Sequence, residues 1–211
     1  MIVWTLPNTL TVLRLLAAPG VAVMFLYFSR PWADFLALTL FVGAAITDYF
    51  DGYLARLWKQ ESRFGAMLDP IADKAMVVIA IVVITGYSGM NPWLILPATL
   101  ILFREVFVSG LREFLGSNAR LLKVTKLAKW KTTTQMVAIS VLFLGTGLAY
   151  VEHGRPPRVG EPGLPFSLSW ADLATQAGLL LIWFAAVLTA WTGWDYFVKA
   201  RPYLRDPGHD A

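Results

Sequence analysis

No cysteine occurs in the 211 residues, so no disulfide framework and no thiolate metal or redox site can be built. Histidine is nearly absent too, with only two, which leaves zinc without its usual ligands. Charge is scarce: Asp, Glu, Lys and Arg together make up 15% of the chain, against 57% hydrophobic residues. That balance is too apolar for an ordinary water-soluble domain. The formal net charge is +4, and its distribution points to a membrane surface and anionic ligands rather than to nucleic acid.

What remains is long apolar runs, at about 8 to 28, 33 to 57, 66 to 87, 93 to 115, 131 to 150 and 171 to 198. Each approaches the roughly 20 residues that a membrane-spanning helix needs. They predict one domain over residues 1 to 211, an all-α integral membrane protein of six transmembrane helices. The first run opens on Asn8, Thr11 and Arg14 and lacks a basic leader and a small-residue cleavage site, so it reads as a span and not as a removable signal.

Lys and Arg crowd into alternate connections. Arg56, Lys59 and Arg63 lie between runs two and three, Arg112 to Lys129 holds five more between runs four and five, and Lys199, Arg201 and Arg205 end the chain. The opposite connections hold Arg30, then none, then Arg155 and Arg158. Both termini are therefore expected in the cytoplasm. Most tryptophans fall at predicted span ends, as an aromatic belt requires; Trp183 does not.

Against this apolar background stand four acids, in the frame Asp48-x2-Asp51-Gly52-x2-Ala55-Arg56-x8-Gly65-x3-Asp69-x3-Asp73. At about 100° per residue, Asp48 and Asp51 share one helical face, as do Asp69 and Asp73 on the next helix. An isolated charge at mid-bilayer costs roughly 2.5 to 3.5 kcal/mol on insertion scales, so something positive must sit between them. Oxygen-only donors suit Mg2+ or Mn2+, and four carboxylates suffice for two ions. Gly52 and Ala55 leave room for a ligand near the backbone, and Arg56 offers a planar fork for phosphate. With the predicted topology, every such group falls at the cytoplasmic boundary, forming one polar chamber.

The frame from Asp48 to Asp73 resembles the signature of the CDP-alcohol phosphatidyltransferases, membrane enzymes that move a substituted phosphate from a CDP-linked alcohol to a second alcohol with release of CMP. The run from Pro7 to Arg14 is similar to that family's first helix. The resemblance implies that Asp48, Asp51 and Asp69 are metal ligands and that Asp73 is both a ligand and the base for the attacking hydroxyl. It assigns Asn8, Thr11, Arg14, Gly52, Ala55, Arg56, Ser62 and Gly65 to CDP-diacylglycerol. It also implies a homodimer in a bacterial-type inner membrane, with the active site facing the cytoplasm.

Two later stretches, Phe103 to Glu113 and Ala128 to Gln135, are similar to those of the branch that uses glycerol 3-phosphate, although Ala128 stands where that branch has glycine. Arg104, Arg112, Lys129 and Lys131 would then hold the acceptor phosphate, with Glu105 orienting Arg104. The expected reaction transfers the phosphatidyl group of CDP-diacylglycerol to sn-glycerol 3-phosphate. Inositol phosphate is the rival acceptor, serine and phosphatidylglycerol are weaker ones, and a divalent-cation transporter is the reading from another class.

Overall fold

The computed structural model describes residues 5–57, 62–116, 127–155 and 169–204, without the side chains of 49, 51–56 and 127–129. Six α-helices follow in order: α1 Leu6–Tyr27, α2 Trp32–Leu57, α3 Arg63–Tyr87, α4 Pro92–Leu115, α5 Leu127–His153 and α6 Trp170–Ala200. A 3-10 turn, Arg201–Leu204, closes the described chain, and no strand occurs among the described residues.

Local chemistry sets the helix ends. Thr5, Ser62, Asn91 and Ser169 cap α1, α3, α4 and α6, each accepting from a backbone N–H of the first turn. Gly116 follows α4 at φ 51° and Gly154 follows α5 at φ 66°, backbone that favours glycine. Capping also explains why α3 begins at Arg63, earlier than its apolar run: Ser62 Oγ accepts from Gly65 N at 2.9 Å and secures a polar first turn.

Helix α1 packs against α2 and α3, α5 against α6 and α2, and α4 against α6. Phe41, Ile101, Ile139, Phe143 and Ile182 fill the common core. The α5–α6 seam is tight: a Cβ on Gly145 would lie 2.9 Å from Thr175 N, and one on Gly178 would lie 2.8 Å from Leu142 Cγ. Bare backbone lets the two helices approach, as small residues do in membrane packing. Gly145→Ala presses on backbone that cannot turn aside, so a loss of about 1–3 kcal/mol is expected. A fall in Tm of the detergent-solubilised protein, with the helical CD signal retained, checks it.

Among the described residues, four helical stretches are long and apolar enough to cross a membrane: Leu6–Tyr27, Pro92–Leu115, Trp130–His153 and Trp170–Leu204. Together with broad exposure of Leu16, Leu26, Leu100, Leu180 and Phe184, they mark an integral membrane protein, since such a surface suits hydrocarbon and not water. Helices α2 and α3 have comparable length, 26 and 25 residues, but carry the acids.

Two findings correct the reading of isolated residues. Arg30 is no simple loop charge: it ion-pairs with Asp34, which is 0% exposed and also accepts from Thr146 Oγ1 at 2.7 Å. The Arg30 guanidinium lies over the rings of Phe25, Tyr87 and Tyr150, 4.3–5.3 Å from their centroids. Trp183, out of place in the belt, donates from Nε1 to Trp93 O at 2.8 Å, which satisfies its one polar atom.

Candidate active site

Asn8, Thr11 and Arg14 recur along α1 at a spacing of three, and all three are buried. This polar stripe meets the polar turns of α3 in three successive rungs. Ser62 Oγ donates to Asn8 Oδ1 at 2.8 Å, Thr11 Oγ1 donates to Asp69 Oδ1 at 2.8 Å, and Arg14 Nη1 donates to Asp73 Oδ1 at 3.0 Å. Residues rise together along both helices, so α1 and α3 run parallel. The first rung depends on Gly65, where a Cβ would stand 2.7 Å from Asn8 Oδ1.

Helix α2 adds Asp48, whose Oδ1 accepts from the same Arg14 Nη1 at 2.5 Å. The Arg14 side chain is 1% exposed, while those of Asp48 and Asp73 are 37% and 36% exposed. The guanidinium thus lies beneath two carboxylates that reach solvent. It is a cation between the acids, supplied by the chain itself. Arg14 and Thr11, which the resemblance assigns to the nucleotide, also orient the acids in this structure.

Among the described residues, no three acidic or imidazole side chains form a metal-holding group, and the Asp51 side chain lies outside them. The donor set nevertheless fits a hard cation. A carboxylate has about four lone-pair positions, so the bonds made here through Oδ1 do not exhaust Asp48, Asp69 or Asp73. Three acids beside one guanidinium also leave an excess of negative charge.

On the other side of Asp73 a cavity of 280 Å3 opens between α3, α4, α5 and α6. Lys74, Arg104, Arg112 and Lys131 line it with Glu105, Ser109, Thr132, Asp195 and Tyr196. Arg104 Nη1 donates to Glu105 Oε1 at 3.1 Å, and Lys131 Nζ ion-pairs with that same oxygen. Lys74 donates to Ser109 Oγ, and the Arg112 guanidinium rests over the Tyr196 ring, 5.3 Å from its centroid. Asp195 pairs with Lys199 at 2.6 Å.

The structure therefore gathers Thr11, Arg14, Asp48, Asp69 and Asp73 into one cluster, and Arg104, Arg112 and Lys131 into a cavity that shares Asp73 with it. Asn8, Ser62 and Gly65 form the rung beside the cluster. Gly52, Ala55, Arg56 and Lys129, like Asp51, have side chains outside the described residues. Sequence reasoning missed Lys74 as a cavity cation. Its signal was available: Pro70, Asp73, Lys74 and Val77 share one α-helical face, and all line the cavity.

An all-helical membrane protein whose acid cluster adjoins a cation-lined cavity has the parts of an enzyme that handles phosphate groups. A family model for CDP-alcohol phosphatidyltransferase matches residues 4–191, and the chain belongs to that family. It is 70% identical over 217 residues to a CDP-diacylglycerol--glycerol-3-phosphate 3-phosphatidyltransferase of Cereibacter sphaeroides, covering 96% of this chain and 98% of that one. Proteins with the same name are 40% identical in Rickettsia bellii, over 94% of this chain and 97% of the relative, and 36% identical in Escherichia coli K12, over 96% and 98%.

Proposed function

We propose that this chain transfers the phosphatidyl group of CDP-diacylglycerol to sn-glycerol 3-phosphate, yielding phosphatidylglycerol phosphate and CMP. The observation that carries the reading is the position of Asp73, bonded to Arg14 in the acid cluster and exposed on the wall of the cationic cavity. A donor diphosphate at the cluster and an acceptor phosphate in the cavity would meet at this carboxylate. The names of near full-length relatives favour glycerol 3-phosphate over inositol phosphate, serine or phosphatidylglycerol, and favour an enzyme over a cation transporter.

Asp73 takes the proton of the acceptor hydroxyl as that oxygen attacks the phosphorus carrying the diacylglycerol. The new P–O bond forms as the bond to CMP breaks, and the electron pair leaves with CMP. Arg14 holds Asp73 and Asp48 in register, and Thr11 holds Asp69. Asp48, Asp51, Asp69 and Asp73 are the proposed holders of two Mg2+ or Mn2+ ions, which would offset the charge of the diphosphate and of departing CMP. Asn8, Thr11, Arg14, Gly52, Ala55, Arg56, Ser62 and Gly65 make up the proposed CDP-diacylglycerol side, while Arg104, Arg112, Lys129 and Lys131 receive the acceptor phosphate.

The proposed setting is a single domain of six spans, with both termini and the site on the cytoplasmic side of a bacterial-type inner membrane. The Lys and Arg asymmetry supports the orientation, and family membership supports a homodimer. The donor's acyl chains would remain in the bilayer.

A panel of acceptors offered with labelled CDP-diacylglycerol tests the assignment. Glycerol 3-phosphate is expected to give a lipid phosphate monoester and one CMP per turnover, at a rate at least about tenfold above the others, the worth of a well-placed charge-assisted contact. Faster use of inositol phosphate would replace the acceptor named here.

A further inference from the structure

Glu105 lies in α4 next to Arg104, on the wall of the cavity. Its Oε1 receives two cations at once, Arg104 Nη1 at 3.1 Å from its own helix and Lys131 Nζ from α5. One turn further on, Ser109 Oγ donates to the Glu105 carbonyl at 2.5 Å and accepts from Lys74 Nζ of α3. A single turn of α4 thus gathers positive charge from three helices.

Two cations aimed at one oxygen repel each other, and here both are largely out of water: the Lys131 and Arg104 side chains are 7% and 14% exposed. They stay together only while the oxygen between them is anionic. Behind Arg104, α6 presents Gly193, where a Cβ would stand 2.8 Å from Arg104 Cγ. The arginine stem therefore runs along bare backbone while Glu105 holds its tip. Guanidinium has five N–H donors and ammonium three, so one bond from each to Glu105 leaves both able to donate to a further anion.

Resting on the reading that this cavity takes the acceptor's phosphate, we infer that Glu105 is a positioning residue for acceptor binding, holding Arg104 and Lys131 as a convergent pair on which one phosphate group sits. It acts through those cations and touches no reacting atom. Replacing its charge with a neutral amide keeps an acceptor oxygen but lets the pair separate. The KM for glycerol 3-phosphate then rises while the KM for CDP-diacylglycerol stays where it was.

The experiment is a double-mutant cycle on the full-length protein in lipid–detergent micelles, with both KM values and kcat measured for wild type, Glu105→Gln, Lys131→Met and the pair. Glu105→Gln is expected to raise the glycerol 3-phosphate KM about tenfold, corresponding to loss of one charge-assisted interaction. In the Lys131→Met background the same change is expected to cost less than about threefold, because its partner is gone. Glu105→Asp, which keeps the charge on a shorter stem, is expected to recover part of the loss, and it serves alone should Glu105→Gln not fold.

A raised KM in Lys131→Met with none in Glu105→Gln would overturn this inference and spare the acceptor site. An unchanged KM in Lys131→Met would overturn the acceptor site and the inference with it. Equal Glu105→Gln effects in both backgrounds, or a fall in kcat with both KM values unmoved, would reduce Glu105 to a structural residue.

Discussion

Asp73→Asn is expected to lower turnover by about 10³-fold, within the range of a lost general base, while CDP-diacylglycerol still binds. The substitution is nearly isosteric and keeps an oxygen able to accept from Arg14 Nη1, which now lies 3.0 Å from Asp73 Oδ1. The hydrogen bond, and with it the join of α1 to α3, can therefore persist. What disappears is the charge that draws a proton from the acceptor hydroxyl. Assaying transfer of labelled glycerol 3-phosphate beside equilibrium binding of CDP-diacylglycerol separates the two effects. Turnover at the wild-type level would remove Asp73 as the base, whereas loss of donor binding would make it chiefly a structural anchor.

Excess EDTA is expected to bring turnover below about 1% of its starting value, with recovery on adding Mg2+ or Mn2+, because positive charge at a diphosphate is worth several kcal/mol in the transition state. Charge balance at the cluster leads to this expectation. Arg14 contributes one positive charge against Asp48, Asp69 and Asp73. That excess would repel a donor diphosphate unless a divalent cation offset it. Atomic absorption on the purified protein before and after chelation checks that metal leaves with activity. Undiminished turnover in excess EDTA, with no metal retained, would remove the ions from the reaction and leave Arg14 as the acids' counter-charge.

Much of the fold was legible because its signals are local. The apolar runs coincide with the six described helices to within four residues, since apolar runs and caps are properties of neighbouring positions. The largest shift, at the start of α5, arises because Leu127 to Trp130 are interfacial in composition and extend the helix beyond its apolar run. The Arg104–Glu105 pair was legible for the same reason, the two being adjacent.

Arg14 was recognised as a site residue but not as the cation between the acids. Its partners Asp48 and Asp73 lie 34 and 59 positions away. The face that Lys74 shares with Asp73 is legible in the helical spacing, but its partner is not, because Ser109 arrives on α4 from 35 positions further on. Nothing in a sequence window distinguishes a basic loop residue such as Arg30 from one folded back onto three rings and a buried Asp34.

By itself, the sequence determined that this is a helical membrane protein whose acids must be paired. Both follow from short-range periodicity and from the cost of charge in an apolar setting. Only the tertiary structure decided that Arg14 lies beneath Asp48 and Asp73, that Asp73 also borders the cationic cavity, and that Glu105 gathers Arg104 and Lys131 on one oxygen. Those choices depend on which helical faces pack together, and burial enforces them by penalising any charge left without its partner.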